Sequence, residues 1–344
     1  MKLRLLFLLL FPLFAYSQPK RSLAVRKLYD QAVTQYNAGN HAESLKLFEE
    51  CVAADSTYTE AYLNISYITF DQNNFVKALV NAKKALKYNQ FQAPIFIQTG
   101  KCFYHLEEYD SAAYFLNKGF SFGAKAETDY LYLAKCMAYQ GQYRDATFYF
   151  GKALEINPNN GVAYNERGSA YFQLGEYELA KADFEKALAL NPQSTGALAN
   201  MANVSLALGD NETALTYINK GIETATGDQK IQLLILKGNY YKTIGEFENA
   251  SLAYEEAFQL DNQNAVILNN QASIMIELEN YQGAFEKCNE ALDLQPEMME
   301  AYFNRGIANE MLRNVEAACM DWEQAFILGS SIAEEYLNSP VCNE

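Results

Sequence analysis

In residues 161–194, GVAYNERGSAYFQLGEYELAKADFEKALALNPQS, apolar and small positions recur three and four apart in two runs separated by Gly175-Glu176. That period places one apolar stripe on each of two helices. Tyr164, Gly168 and Tyr171 mark the first helix, and Tyr177, Ala180, Phe184 and Ala187 the second. Gly175 lets the chain reverse between them. Asn191-Pro192 ends the second helix, because proline has no amide donor and clashes with the preceding turn.

A 34-residue ruler finds the same pattern in residues 25–58, 59–92, 93–126, 127–160, 161–194, 195–228, 231–264, 265–298 and 299–332. Only Gln229 and Lys230 fall between units. The eighth column reads Ala32, Ser66, Gly100, Ala134, Gly168, Ala202, Gly238, Ala272, Gly306, and the twentieth column is alanine in every unit except the first, where it is Ser44. The twenty-seventh holds only Cys51, Gly119, Gly221 and alanines. Small side chains in fixed columns mean that helix backbones approach closely there, where extra atoms would force the pair apart. Bulky fillers occupy the fourth column, among them Leu28, Tyr62, Phe96, Tyr130, Tyr164, Leu234 and Tyr302.

This unit closely resembles the tetratricopeptide repeat in its length and in the placement of Tyr164, Gly168, Tyr171, Ala180, Phe184, Ala187 and Pro192. The resemblance implies an all-α fold: a right-handed solenoid of nine helix–turn–helix repeats closed by a C-terminal capping helix. That helix is expected at 331–338, overlapping the last repeat, with Ser331-Ile-Ala-Glu334 as its capping box and Ala333, Tyr336 and Leu337 covering the final hairpin. Residues 18–24 are a short leading segment and 339–344 a tail. The first repeat is degenerate (Ser44, and Tyr36 one place late), as suits a terminal unit. The slip at Gln229-Lys230 reads as a loop insertion, or as a local change in superhelical path, with Asp228 as a helix cap.

Ahead of the repeats, residues 1–17 combine Lys2 and Arg4, an apolar run from Leu5 to Ala15, and Ala-Tyr-Ser before Gln18. This is the layout of a cleavable secretory signal. The run is 11 residues long and broken by Pro12, shorter than the roughly 18 of a spanning helix. The expectation is an exported protein, periplasmic, envelope-associated or secreted, with no transmembrane segment after cleavage. The net charge is −15, and −17 once Lys2 and Arg4 leave with the signal. An acidic surface repels phosphate backbones, which argues against nucleic acid and against anionic lipid headgroups.

Little in the chain suggests reaction chemistry. His41 and His105 are the histidines, and His41 occupies a turn position held elsewhere by Tyr or Phe. Phosphate-cradling glycine loops, nucleophile elbows and zinc-binding spacings are absent from the sequence. Nine repeats, the signal and the cap leave no segment for a separate catalytic domain, so no catalytic residue, metal or cofactor is expected. Cys51 and Cys288 lie in core columns, and Cys102 and Cys136, at equivalent points of adjacent repeats, are about 9–10 Å apart by helix packing, too far to bridge. The ending ACMDWEQAFILGSSIAEEYLNSPVC resembles the terminus of exported bacterial repeat proteins of this class. It implies a Cys319–Cys342 disulfide stapling the cap, in an oxidising compartment.

Function is therefore expected on a surface. In the resembled family, positions two, five, six, nine, twelve and thirteen of each unit line a concave groove. Carried over, the partner-binding face comprises Asn64, Tyr67, Phe70, Gln98, Lys101, Tyr104, Tyr132, Lys135, Tyr139, Asn165, Phe172, Asn200, Asn203, Asn239, Asn270 and Asn304. Rings beside amides suit an extended peptide, whose backbone Asn can both donate to and accept from. Lys101 and Lys135, one repeat apart, are candidates to meet an acidic group. Some family members grip a terminal carboxylate between basic residues and asparagines. Asn239 and Asn270 match the asparagines, but Ile235, Glu300 and Asn304 replace the basic positions, so that function is not expected. The leading reading is a non-catalytic scaffold or peptide-binding module assembling proteins in the cell envelope. The alternative is an accessory subunit of an envelope secretion or glycan-handling complex.

Overall fold

The computed structural model describes residues 21–343, so the leader expected at residues 1–17 lies outside the described residues. Among the described residues every regular element is a helix. The described residues divide into two compact units, the first ending at Ile156 and the second beginning at Asn157.

The first unit stacks four antiparallel pairs: α1 (Leu23–Asn37) with α2 (His41–Ala54), α3 (Thr59–Asp71) with α4 (Phe75–Tyr88), α5 (Ala93–His105) with α6 (Tyr109–Ser121), and α7 (Glu127–Tyr139) with α8 (Tyr143–Ile156). The second unit stacks α9 (Gly161–Gln173) with α10 (Tyr177–Leu190), α11 (Thr195–Ala207) with α12 (Asn211–Thr224), and α13 (Gly227–Thr243) with α14 (Phe247–Leu260). It continues with α15 (Ala265–Glu277) on α16 (Tyr281–Leu294) and α17 (Met299–Met311) on α18 (Val315–Ile327). The short helices α19 (Ser331–Leu337) and α20 (Pro340–Asn343) close it. In both units the first helix of a pair also touches the first helix of the next, as α3 does α5 and α15 does α17.

Two columns explain the hairpin. The fifteenth position is left-handed in all nine repeats: Gly39, Gly141, Gly175, Gly209 and Gly245 take φ between 72° and 81°. Asn73, Glu107, Glu279 and Arg313 take φ of 59–66° at the same place, where a side chain is strained. In the eighth column a methyl group added to Gly168 would lie 2.7 Å from the Phe184 ring, and the same position in Gly238 and Gly306 faces Tyr254 and Trp322. Glycine is thus paired with a bulky residue at position 24, and all three partners are buried. Position 7 and position 23 add ion pairs inside the hairpin. Arg167 grips Asp183 with two bonds of 2.7 Å, and Arg305 grips Asp321, which also accepts from Asn309 Nδ2 at 2.9 Å. Both aspartates are buried, and the two-pronged geometry offsets their loss of water.

Four expectations need correction. Helix α1 begins at Leu23, inside the segment assigned as a leader to the repeats, with the Ser22 hydroxyl accepting from the Val25 amide. The slip at Gln229-Lys230 is not a loop insertion, and Asp228 is not a cap: α13 starts at Gly227 and absorbs the extra residues as an additional helical turn, with Asp228 inside its first turn. At the closing helix the cap is Ser330, whose hydroxyl accepts from Ala333, rather than Ser331. Gly329, at φ 108°, turns the chain one residue earlier than expected. The tail is partly helical, since Pro340–Asn343 forms α20. Ala333 is fully buried, and Tyr336 packs its ring 4.8 Å from Trp322 and 5.1 Å from Phe303. Cys319 and Cys342 are joined by a disulfide with Cα atoms 5.7 Å apart, while Cys51, Cys102, Cys136 and Cys288 are free and buried.

Candidate functional site

In the first unit, α3, α5 and α7 bring the aromatic residues of the expected face into one cluster. His105 stacks on Phe75 at 4.4 Å, meets the edge of Phe70 at 5.1 Å, and has its Nε2 3.0 Å from the Tyr132 hydroxyl. Tyr104 lies edge-on to Tyr132 at 5.0 Å, and Tyr139 stacks on Tyr109 at 4.5 Å. Burial and the nearby Lys135 charge hold the His105 pKa below its ordinary value, so the imidazole is neutral at neutral pH. Burial pushes the Tyr67 and Tyr104 phenols up, which keeps both protonated. Tyr139 is 64% exposed and Lys135 half-buried, and Lys135 forms no ion pair among the described residues. Rings, a neutral imidazole and a cation are groups that bind.

Several expected face residues are engaged inside the stack. Gln98 is buried and donates to Ser66 Oγ of the preceding repeat at 3.2 Å, so it is a packing residue and not a groove residue. Lys101 already has its acidic partner: its Nζ is 2.7 Å from the buried Asp129 of the following repeat. Asn64 donates to the Tyr29 hydroxyl at 3.0 Å. Tyr67 is half-buried, and Phe70 packs on Phe75 at 5.3 Å. The partner Asp129 stands in the third column, outside the set read from the sequence.

In the second unit the amides form links between neighbouring first helices. Asn200 Nδ2 donates to Asn165 Oδ1 at 3.0 Å, and Asn304 Nδ2 to the buried Asn269 Oδ1 at 2.8 Å. Asn239 accepts from the Tyr254 hydroxyl at 2.6 Å, and Phe172 packs on Tyr177 at 5.3 Å. Asn203 and Asn270 are half-buried and spend no hydrogen bond on other described residues. A cleft of about 300 Å³ opens between α13, α15, α17 and the start of the closing segment, lined by Lys242, Asn270, Ser273, Glu300, Phe303, Asn304 and Ile332. Lys242 Nζ donates to Ser273 Oγ at 2.6 Å across it. Lys242 and Ser273 were not named from the sequence, and Glu300 was named only as the replacement of a basic clamp position. They fall at positions twelve, nine and two of repeats seven, eight and nine, so the column rule applied evenly would have found them. Among the described residues no three His, Cys, Asp or Glu side chains are grouped to hold a metal ion, and no helix is long and apolar enough to cross a membrane.

Residues 128–160, 161–194 and 231–264 match the sequence profile of the tetratricopeptide repeat. RNA polymerase II-associated protein 3 of Xenopus laevis is 32% identical over 95 residues, which is 28% of this chain and 14% of that protein. Sperm-associated antigen 1 of Homo sapiens is 25% identical over 109 residues, 32% of this chain and 12% of its own length. The chain thus spans about one seventh or less of these relatives. A solved C-terminal part of a repeat-containing protein from Cytophaga hutchinsonii is 18% identical with a TM-score of 0.56, covering 70% of this chain and 98% of that one. A tetratricopeptide repeat protein from Parabacteroides merdae is 17% identical with a TM-score of 0.53, covering 74% and 100%. At such identities the likeness is one of fold. The chain carries tetratricopeptide repeats.

Proposed function

We propose that this chain is a non-catalytic scaffold that holds extended segments of other proteins along the faces of its first helices. The cleft between α13, α15 and α17 is the observation that carries the reading. It joins an apolar wall (Phe303, Ile332), an amide with free hydrogen-bonding capacity (Asn270) and one charge of each sign (Lys242, Glu300). A peptide backbone needs such amides for orientation, and its side chains need the apolar wall for affinity. The matched repeats support protein binding as the general role. Capture from a cell-envelope extract tests it, with wild type compared against Asn270→Ala/Ile332→Ser, since Ile332 is exposed whereas Phe303 packs on the closing helix. Loss of the captured proteins with unchanged melting supports the cleft, and undiminished capture rejects it.

The work is proposed to take place outside the cytoplasm. The leader pattern of residues 1–17 and the Cys319–Cys342 bridge support export, since disulfides persist in oxidising compartments. A mature protein beginning at Gln18 in the envelope or medium is the expected finding, and an intact Met1 in a cytosolic fraction would refute it. A second reading, an accessory subunit of a glycan-handling complex, is favoured by the exposed Tyr139 ring on Tyr109, a platform on which a sugar face can stack. Glycan retention that Tyr139→Ala abolishes, with protein capture intact, supports this reading over the first.

A further inference from the structure

The net charge of −15 hides an uneven distribution. Residues 157–344 carry 28 acidic and 10 basic side chains, whereas residues 21–156 carry 14 of each. Within the first unit the bases are segregated again. Residues 72–106 contain five lysines and no acidic residue, and α4 alone supplies Lys77, Lys83, Lys84 and Lys87. Lys77 pairs with Glu49 at 2.8 Å and Lys101 with Asp129 at 2.7 Å. Lys84, Lys87, Lys118 and Lys125 are exposed and form no ion pair among the described residues.

Those four lysines lie towards one end of the hairpins: Lys84 and Lys87 on the last two turns of α4, Lys118 on the last turn of α6 and Lys125 on the linker that follows α6. Three exposed rings share that end: Tyr88 at 40%, Phe91 at 74% and Phe122 at 40% exposure. Phe91 takes a linker position that is polar in other repeats, as Thr57, Asn159, Gln193, Gln263 and Glu297. It is the most exposed large apolar side chain among the described residues. Its ring lies 6.4 Å from Phe122, which stacks on Phe96 at 5.2 Å, so the two linker tips are tied together.

We propose that this edge docks the protein on an anionic phospholipid surface. Phe91 and Tyr88 enter the headgroup layer, while Lys84, Lys87, Lys118 and Lys125 meet the phosphates. An apolar ring standing out at a loop tip suits a soft interface, whereas a folded partner needs a groove or flat patch to cover it. Lysine stems reach along the apolar rings and keep their charges at the phosphate plane. The acidic surplus elsewhere does not prevent this, because charges beyond a Debye length of about 8 Å are screened at physiological ionic strength. The expectation drawn from total charge, that anionic headgroups are repelled, averages over this local segregation.

Vesicle flotation tests the proposal. The protein is used without residues 1–17, whose apolar run would itself partition into lipid, and with every described residue retained. It is expected to float with vesicles of equal parts phosphatidylcholine and phosphatidylglycerol, to stay behind with phosphatidylcholine alone, and to be released by high salt. Lys84→Gln/Lys87→Gln is expected to lower partitioning by roughly fivefold per lysine. Phe91→Ser is expected to lower it while leaving the salt dependence unchanged, and melting should be unaffected in both variants because all three positions are exposed. Failure to float, equal binding to neutral vesicles, or unchanged binding of both variants overturns the proposal. So does a change in oligomeric mass on lysine substitution without a change in flotation, which would make the edge a contact between protein copies.

Discussion

Replacing Gly306 by alanine tests whether the eighth column is fixed by volume. A methyl group there would lie 2.6 Å from Trp322 Cδ1 and 2.9 Å from Cε2, against ordinary contacts of 3.4 Å or more. Trp322 is fully buried, so the indole has nowhere to retreat. Overpacking of this kind costs about 1–3 kcal/mol, and a shift of nearly 1 Å in a rigid ring belongs at the upper end. Alanine recovers about 1 kcal/mol of helix propensity relative to glycine, so the net loss is about 2 kcal/mol. Repeats one and four carry Ala32 with Phe48 and Ala134 with Phe150 at the same two positions. Gly306→Ala/Trp322→Phe therefore rebuilds a pairing the chain already uses, and because the propensity gain cancels between the two backgrounds the changes should couple favourably by the relieved overpacking, about 3 kcal/mol. Hydrogen exchange across α17 and α18 is the suitable assay, because local stability in a stack is a property of neighbouring repeats. Trp322 is the only tryptophan, so its fluorescence adds a local probe for the single glycine variant. Strict additivity of the two substitutions would refute the volume argument.

At the left-handed turns, Glu107→Gly removes a strain of about 1–2 kcal/mol and adds chain entropy of about 0.5–1 kcal/mol. A gain of up to about 1.5 kcal/mol is expected, and a lowered melting temperature would contradict it. The His105 pKa is depressed by burial first and by Lys135 second. The unfolded chain, with an ordinary histidine pKa near 6.5, then binds the proton more readily, so stability is lost as pH falls through 6.5 toward the folded value. NMR titration should place His105 below 6.5 and show Lys135→Ala raising it, and a value above 6.5 would overturn the assignment. Loss of the Cys319–Cys342 bridge, which spans 23 residues, should cost roughly 3 kcal/mol by loop entropy. In Cys319→Ser/Cys342→Ser, faster exchange confined to residues 331–342 is expected, and unchanged exchange there would show that packing alone holds the closing helices.

The hairpins were legible because their signals are local and repeated: a left-handed turn position, a small column and a stop recur with one period. What the sequence could not supply was the identity of neighbours across a helix contact. Lys101 looked available because its partner Asp129 lies 28 positions away, as the one acidic residue of a column that is apolar in seven of the nine repeats. Gln98 looked like a groove residue until Ser66 stood beside it. At Gln229-Lys230 the slip was visible but not its form, since Gly-Asp-Gln-Lys is compatible with either a loop or an added helical turn. Ser330 and Ser331 are equivalent caps by residue type, and only the turn at Gly329 selects the first.

Membership of a groove column therefore does not make a side chain free to bind, and this decides how the faces should be probed. Asn304 holds the buried Asn269, so truncating it strands an amide and costs about 1–3 kcal/mol of stability before any ligand is involved. Lys101 and Asn200 are committed in the same way, to Asp129 and Asn165. Lys135, Tyr139, Asn203 and Asn270 are different: exposed or half-buried, they have polar or apolar surface not spent on a neighbour. Substitution of the committed set should lower melting and binding together, whereas substitution of the second set should lower binding alone. A ligand lost only when the committed residues are changed would be responding to the loosening of the stack and not to contacts on its surface.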